Sequence, residues 1–370
     1  MALHGLTHAA KDRLCQRYLD AWWPAMLQTS RNTGLAFPRV TLLRTIDGPA
    51  HYDEKEPLPP ILTLDRLLHH SASQQMNLSR RRAHMVVIAR ERESFENVVT
   101  QLRARFGSLA DLPVRVEVRC GDAARDTLPV LTGLGAWGNP ILGLFDSLSG
   151  INIPLEVMRR IAHNRASEAI VAFGPHVQKP RDTGPAHALD SALGGRTPRE
   201  AAAWESRLEE SWRAWLNGYG RALRPAGFAY RLKFRMTAGN GPPLHLVFAT
   251  SRLDSVSAMK DVITVSRHRD GVRFHDPRNA ATAPAESLEP VQVNGEVNPE
   301  LAELVIQRLA GGSLSVEGIG KWLLTETALW LPAHAQPAVQ VMLEDGTLVK
   351  QSVRKLSRRS LIDLPGNGAP

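Results

Sequence analysis

The chain has 370 residues, of which 43% are apolar and 22% charged, a composition that predicts an ordinary globular protein of two or three domains. Only two cysteines occur, Cys15 and Cys120, which argues against a disulfide scaffold and cannot supply a four-cysteine zinc or iron–sulfur site. The formal net charge of +8 favours encounter with polyanions, although charge alone specifies neither a fold nor a reaction.

The amino terminus, residues 1–5, has no basic leader followed by an apolar run, so no signal peptide is expected. No stretch approaches the ~20 apolar residues that cross a bilayer. We therefore expect a cytoplasmic protein that does not associate with membranes.

The first region alternates between helical and extended patterns. Leu14, Tyr18, Trp22 and Met26 recur every four residues, which predicts an amphipathic helix over 11–28. Strands are predicted near 40–46, 85–88, 114–118, 141–145 and 168–173, and helices near 60–70, 94–106 and 154–162. Strands separated by helices indicate βαβ units and a mostly parallel sheet.

The next region begins with a loose surface segment over 174–198 and continues with a long helix. Its apolar stripe runs from Trp204 to Leu223 and ends at Pro225. Aromatic residues at this spacing are more typical of a core than of a surface that stacks bases. Two strands joined by a hairpin and one helix are predicted to follow, over 230–236, 244–250 and 253–265.

The carboxyl-terminal region has the pattern of a small second domain. Three short helices are predicted over 299–309, 316–324 and 337–343, followed by a strand pair or wing over 347–354, which together indicate a winged helix-turn-helix. The predicted divisions are an α/β domain (1–270), a linker (271–298), the winged helix (299–358) and a flexible tail (359–370).

Two of the predicted strands end in acidic turns. Strand 40–46 leads into Asp47 and Gly48, and strand 141–145 leads into Asp146. Because open α/β sheets bind ligands outside the carboxyl ends of their strands, these aspartates are candidate site residues. Asp146 is placed where a catalytic or substrate-facing residue would lie.

The order of elements is that of a class I methyltransferase, a Rossmann-like α/β fold in which acidic and glycine-rich turns hold S-adenosylmethionine. The residues that match the cofactor turns in position are Asp47, Gly48, Glu91, Gly121 and Asp122. A polar residue that closes a strand is also commonly a helix cap or a turn former. The sequence has no P-loop motif and no zinc-binding spacing, so no metal is expected.

Taken together, these motifs resemble the three-Cys-motif partner proteins, a bacterial family with a methyltransferase-like domain and a carboxyl-terminal winged helix. The likeness covers roughly residues 11 to 355. It is carried by the opening helix from Lys11 to Trp22, Ile46-Asp47-Gly48, Val87-Ile88-Ala89-Arg90-Glu91, Gly121-Asp122, 145–154, 246–250 and Met259-Lys260. The resemblance implies a partner that carries the three cysteines and is similar to radical S-adenosylmethionine proteins.

Three loops depart from the family pattern. The glycine-rich turn is shortened to Pro49-Ala50-His51, Ala89 stands where the family has an acid after the second strand, and the family's Asp-Pro-Phe-Gly is represented by 146–149. All three changes affect ligand-facing loops, so S-adenosylmethionine is expected to bind weakly or not at all. The alternatives are an active S-adenosylmethionine-dependent methyltransferase and a winged-helix DNA-binding regulator.

Basic residues cluster on and after the predicted wing, and we expect them to contact DNA or RNA phosphates. They are Lys350, Arg354, Lys355, Arg358 and Arg359. The third helix of this region offers only Gln336 and Gln340 to base edges, which predicts little sequence preference. An equal alternative is that the domain docks on a protein through this apolar helix.

Overall fold

The structure is a computed structural model that describes residues 3–29, 36–46, 57–147, 153–174, 211–279, 289–352 and 355–366. Its centre is an eight-stranded sheet with the order β3-β2-β1-β4-β5-β7-β6-β8. The strands are β1 (Val40–Ile46), β2 (Ala83–Ala89), β3 (Arg115–Cys120), β4 (Ile141–Ser147), β5 (Glu168–Phe173), β6 (Tyr230–Ala238), β7 (Leu244–Thr250) and β8 (Val272–His275).

The sheet is mostly parallel. Strands β1 to β5 pair in parallel with their neighbours, whereas β7 pairs antiparallel with both β5 and β6, and β8 pairs antiparallel with β6. Strands β6 and β5 therefore run in the same direction. The predicted α/β, Rossmann-like architecture is confirmed at this level.

Helices cover both faces of the sheet. They are α1 (Leu3–Leu27), α2 (Pro59–Leu68), α3 (Ser73–Met76), α4 (Arg92–Phe106), α5 (Ala123–Gly133), α6 (Leu155–Ala162), α7 (Ser211–Ala226) and α8 (Leu253–Asp270). Successive residues of a buried strand point to opposite faces of the sheet, so Leu42 and Leu43 of β1 pack into two different hydrophobic cores. One core joins α1, α2, α4 and α8 to the sheet, and the other joins α5, α6 and α7.

The carboxyl-terminal region contains three further helices and a small antiparallel sheet. The helices are α9 (Pro299–Leu309), α10 (Val316–Glu326) and α11 (Ala335–Glu344), and the strands are β9 (Leu314–Ser315), β10 (Val349–Lys350) and β11 (Leu361–Asp363). The sheet order is β10-β11-β9. Apolar side chains of α9, α10 and α11 belong to the same core as α1 and α8.

Two segments differ from the sequence-based expectation. Residues 272–275, assigned to the linker, form the edge strand β8, in which Val272 and Phe274 are buried. Residues 361–363, assigned to the flexible tail, form β11 between β10 and β9, with Ile362 buried. Strands of three or four residues are too short to show a recognisable alternation of apolar and polar residues, so neither strand was predicted.

Candidate functional site

The carboxyl ends of β1 to β5 lie at one edge of the sheet. The paired residues at this edge include Ile46 with Ala89, Ala89 with Cys120, and Ser147 with Phe173. The strand order reverses between β1 and β4, and this switch point is where an open α/β sheet forms a ligand crevice. The candidate site is therefore the edge formed by β1 and β4.

Asp146 lies on β4 at this switch point and forms a buried ion pair with α1. Its Oδ1 accepts a hydrogen bond of 2.7 Å from Nζ of Lys11, and its backbone N–H donates to Oγ1 of Thr45 at 3.0 Å. The Lys11 side chain is 1% exposed and that of Asp146 11%. The sequence-predicted residue thus lies at the expected edge, but its carboxylate holds a cation of the protein itself.

The charged network continues from this ion pair into the core. Nζ of Lys11 is 3.5 Å from Oδ1 of Asp12, and that carboxylate also accepts from the guanidinium of Arg44 on β1. Two cations and two anions therefore balance one another within a buried region. A polar ligand that enters the switch point has to compete with interactions that already neutralise Asp146.

The sequence patterns did not indicate a site role for Lys11, Asp12 or Arg44. Lys11 and Asp12 lie at the start of the predicted amphipathic helix, where charges are normally exposed, and Arg44 is the one charged residue of strand β1. A charged residue inside a fully buried strand was the available signal, since such a side chain needs a partner.

Cys15 lies beside the same network, and burial raises the pKa of its thiol to about 12. The side chain therefore stays a neutral thiol near neutral pH. Cys120, at the end of β3, is exposed, and neither cysteine is in a disulfide.

The turn after β3 holds two carboxylates that the protein itself engages. Oδ1 of Asp122 accepts from the backbone N–H groups of Ala124 and Arg125, at 2.8 and 3.2 Å, and so caps α5. Oδ2 of Asp126 accepts from the backbone N–H of Asp122 at 2.7 Å. A Cβ on Gly121 would meet that same oxygen, so a larger residue here would require the Asp126 side chain to move.

The remaining predicted cofactor residues are placed as follows. Glu91 is exposed at the N-cap of α4, and its side chain makes no capping hydrogen bond. Ala89 is buried at the end of β2. Asp47 and Gly48 lie outside the described residues, so the structure brings together Asp146 and the β3 turn at one edge without placing the β1 turn.

Glu168 forms a second buried polar cluster at the opposite edge of the sheet, at the start of β5. Its carboxylate accepts hydrogen bonds from the hydroxyls of Tyr18, Thr250 and Ser255. Burial raises the pKa of Glu168 above its usual range. The cluster joins α1, β5, β7 and α8, a position that indicates a structural role.

Lys260 connects α8 to the carboxyl-terminal helices. Its Nζ donates to the backbone oxygens of Leu323 at 2.7 Å and Trp330 at 2.5 Å, and lies 3.4 Å from Oγ1 of Thr327. Burial lowers its pKa to about 7. The oxygen of Leu323 also accepts from the hydroxyl of Thr327 at 2.6 Å, so Lys260 is an additional donor at the end of α10 and binds Trp330 in the segment that follows.

The predicted recognition helix is α11, and its apolar residues are mostly used internally. Ala338, Val339 and Met342 are buried in the core, whereas Gln336 and Gln340 are exposed. These three residues pack against the other helices of the region, whereas Val341 and Leu343, the other apolar residues of the helix, are half-exposed.

An open cleft of about 620 Å³ lies between α11 and β10. It is lined by Gln336, Gln340, Leu343, Glu344, Leu348, Val349, Lys350, Lys355 and Leu356. Arg358 and Arg359 are exposed on the segment before β11, and Arg354 lies outside the described residues. The cleft brings both amide side chains of α11 near two of the predicted phosphate-binding lysines.

Comparison with known proteins gives no assignment: no family model matches the chain, and no curated protein matches it. Within the described residues, no group of three His, Cys, Asp or Glu side chains is placed to hold a metal ion. No helix among them is long and apolar enough to span a bilayer.

Proposed function

We propose that this chain is a methyltransferase-fold protein with a degenerate S-adenosylmethionine site, of the three-Cys-motif partner type. The fold supports this proposal, since a reversed strand inserted between two parallel ones, as β7 is between β5 and β6, is the arrangement of class I methyltransferase sheets. The carboxyl-terminal helices and small sheet also follow in the order expected of a winged helix.

The main support for the proposal is that the carboxylates at the ligand edge already bind groups of the protein itself. Asp122 caps α5, Asp126 holds a backbone N–H of its own turn, and Asp146 is paired with Lys11. Ala89 ends β2, where an acid that binds ribose hydroxyls is expected in an active enzyme. A missing charge-assisted contact weakens binding by about 1.5–3 kcal/mol, or roughly ten- to a hundred-fold.

The chain would act through a separate protein that carries the three cysteines and resembles radical S-adenosylmethionine enzymes. Its own two cysteines do not suffice for such a cluster, and Cys15 is buried as a neutral thiol. This division of roles is consistent with a scaffold that keeps its sheet while its own cofactor turns diverge.

Isothermal titration calorimetry with S-adenosylmethionine tests the degenerate site. We expect no binding heat from protein whose folding has been verified by circular dichroism. Micromolar binding that disappears in an Asp47→Ala variant would instead support an active S-adenosylmethionine-dependent methyltransferase. Co-purification with a tagged three-cysteine protein tests the partner, with a variant of that protein lacking its cysteines as the control.

A second candidate function is nucleic-acid binding by the carboxyl-terminal region, acting as a winged-helix regulator. The cleft between α11 and β10 favours it, because Gln336, Gln340, Lys350 and Lys355 line one concave surface. Fluorescence anisotropy with a labelled DNA duplex tests this candidate. Binding at low salt should weaken when Lys350, Lys355, Arg358 and Arg359 are changed to Gln.

A further inference from the structure

The positive charge of the chain is concentrated in one segment outside the predicted wing. Residues 211–279 contain twelve Lys and Arg side chains and four Asp, an excess of eight that equals the net charge of the whole chain. Residues 299–366 contain seven Lys and Arg and seven Asp and Glu, so the carboxyl-terminal region is neutral overall. The exposed cations of 211–279 are therefore the first place to look for a surface that attracts a polyanion.

This segment forms α7, β6, β7, α8 and β8, and β6 sorts its charges onto one face. Leu232, Phe234 and Met236 point into the core, so Arg231, Lys233 and Arg235 share the opposite face. Three cations on alternate residues of one strand form a row with a spacing of about 6.6 Å.

Helix α7 and strand β8 add cations beside this row. Nζ of Lys233 donates to Oδ1 of Asn217 at 2.6 Å, and a Cβ on Gly220 would lie 2.6 Å from the Lys233 side chain, so α7 packs directly along the row. On β8, Arg273 and His275 face the same side, because Val272 and Phe274 are buried. His275 pairs in register with Arg235.

We name Arg221, Arg224, Arg231, Lys233 and Arg273 the cationic face. Burial, followed by Arg235 and Arg213, lowers the pKa of His275 to about 4. Burial also lowers the pKa of Lys233 to about 8, and Arg278 adds to the shift. His275 is therefore neutral near neutral pH and does not belong to the cationic face, whereas Lys233 remains mostly protonated.

Two carboxylates lie close enough to this surface to offset part of its charge, since Asp276 and Glu326 act to raise the pKa of Lys233, and each also has a partner elsewhere. Asp276 accepts from the backbone N–H of Ala328 at 2.6 Å, and Glu326 pairs with Arg278 at 3.1 Å. Arg213 and Arg235 each interact with other groups of the protein and are not counted in the cationic face.

We propose that the cationic face binds the phosphodiester backbone of a single-stranded nucleic acid. Along β6, Arg231 and Lys233 are about 6.6 Å apart, a spacing comparable to that of successive phosphates in an extended strand. Arg231 and Lys233 are half-buried beside α7, where Arg231 donates to the backbone oxygens of Phe228 and Ala229 and Lys233 to Asn217. The exposed Arg221, Arg224 and Arg273 are the members of the face that phosphates would meet first. Contacts with phosphates alone give affinity with strong salt dependence and little sequence preference.

The test uses the full chain with Arg221, Arg224 and Arg273 changed to Gln. All three side chains are exposed, and Arg221 shares a face of α7 with Arg224, three residues away. Anisotropy is measured with a fluorescein-labelled oligonucleotide of about 15 nucleotides, single-stranded or in a duplex, between about 50 and 200 mM salt. We expect at least a roughly tenfold loss at low salt and a salt slope shallower by about 2, from three contacts of ~0.7 each.

The matched control removes the same charge from exposed positions on α4 and α5, as Arg92→Gln, Arg103→Gln and Arg125→Gln, and should bind like wild type. A second comparison neutralises Lys350, Lys355, Arg358 and Arg359 on the predicted wing. If the triple variant lowers the melting temperature, Arg224→Gln and Arg273→Gln are measured singly.

Several outcomes would overturn the proposal. They are absence of binding by the wild type, unchanged binding by the Arg221, Arg224 and Arg273 variant, and an equal loss in the matched control. Tighter binding of the duplex than of the single strand would also overturn it. Equal binding of polyglutamate or of phosphatidylserine vesicles at the same salt would indicate a general polyanion surface instead. Loss of binding only in the wing variant would assign binding to the carboxyl-terminal region.

Discussion

Lys11 and Asp146 are 135 residues apart in sequence and form a buried ion pair of 2.7 Å at the point where the strand order of the sheet reverses. The ammonium comes from α1 and the carboxylate from β4. Asp12 and Arg44 extend the pair into a network of alternating charge. Helix α1 is therefore fixed across the edge at which a Rossmann-like sheet normally receives a ligand.

Replacing Asp146 with Asn should destabilise the protein by about 3 kcal/mol. The change leaves the Lys11 ammonium buried without its nearest carboxylate, and breaking one side of a buried pair typically costs about 3–5 kcal/mol. Lys11 retains Asp12 at 3.5 Å, which places the expectation at the lower end. Urea denaturation monitored by circular dichroism measures the change.

Glu117→Gln on β3 is the control for that experiment, because its carboxylate is paired with exposed arginines and should contribute less than about 1 kcal/mol. An Asp146→Asn protein as stable as wild type would contradict the structural role. If this variant is folded but inactive in a cellular assay, Asp146 also acts on a ligand.

Asp122→Ala should destabilise the protein by about 1 kcal/mol through loss of the α5 cap. Asp122 accepts two backbone N–H groups, and Ala offers no acceptor. Asp122→Ser keeps an accepting oxygen and should recover most of the loss. Equal destabilisation by Ala and Ser would argue against the capping role and favour a role of the charge itself.

The sequence predicts the strands well because their apolar residues form continuous or alternating runs. The predicted strands 40–46, 168–173 and 244–250 coincide with β1, β5 and β7. Helix α5 was not predicted, since Pro129 interrupts its helical pattern. The helix nevertheless continues through Pro129, which has no backbone N–H to donate. Helix α1 starts at Leu3, eight residues before its predicted start.

The candidate site could be predicted only in part. Asp146 was found because it follows an apolar run, but its partner Lys11 lies 135 residues earlier, and no local pattern reports such a contact. The same holds for Glu168, whose three hydroxyl partners come from separate elements. Ion pairs and hydrogen bonds of this kind depend on tertiary packing, which a single sequence does not display.

Glu168 should make stability depend on pH in a defined direction. Because burial raises the pKa of Glu168 in the folded state, the folded protein holds this proton more tightly than the unfolded chain. Its contribution is full below the ordinary value of 4.5 and declines as pH rises through the folded pKa. Glu168→Gln mimics the protonated form and removes this dependence.

The measurement is the melting temperature of wild type and Glu168→Gln from about pH 4 to pH 8, a range that brackets the usual glutamate pKa. Relative to the variant, the wild type should lose stability as pH rises, while the other titrating groups cancel in the difference. A constant difference across this range would show that Glu168 ionises in the folded protein as it does in the unfolded chain.

Lys260→Met should weaken the attachment of the carboxyl-terminal helices to α8. Methionine fills a similar volume but leaves the backbone oxygen of Trp330 buried without this donor, while that of Leu323 still accepts from Thr327, so the cost should be about 1–3 kcal/mol. Backbone hydrogen exchange should accelerate in α10 and α11 more than in β1 and β4, because only the carboxyl-terminal helices lose hydrogen bonds to α8. Lys321→Met makes the same substitution on the exposed side of α10 and should leave both stability and exchange unchanged. If Lys260→Met exchanges like Lys321→Met throughout, apolar packing alone joins the two regions and the lysine contributes little.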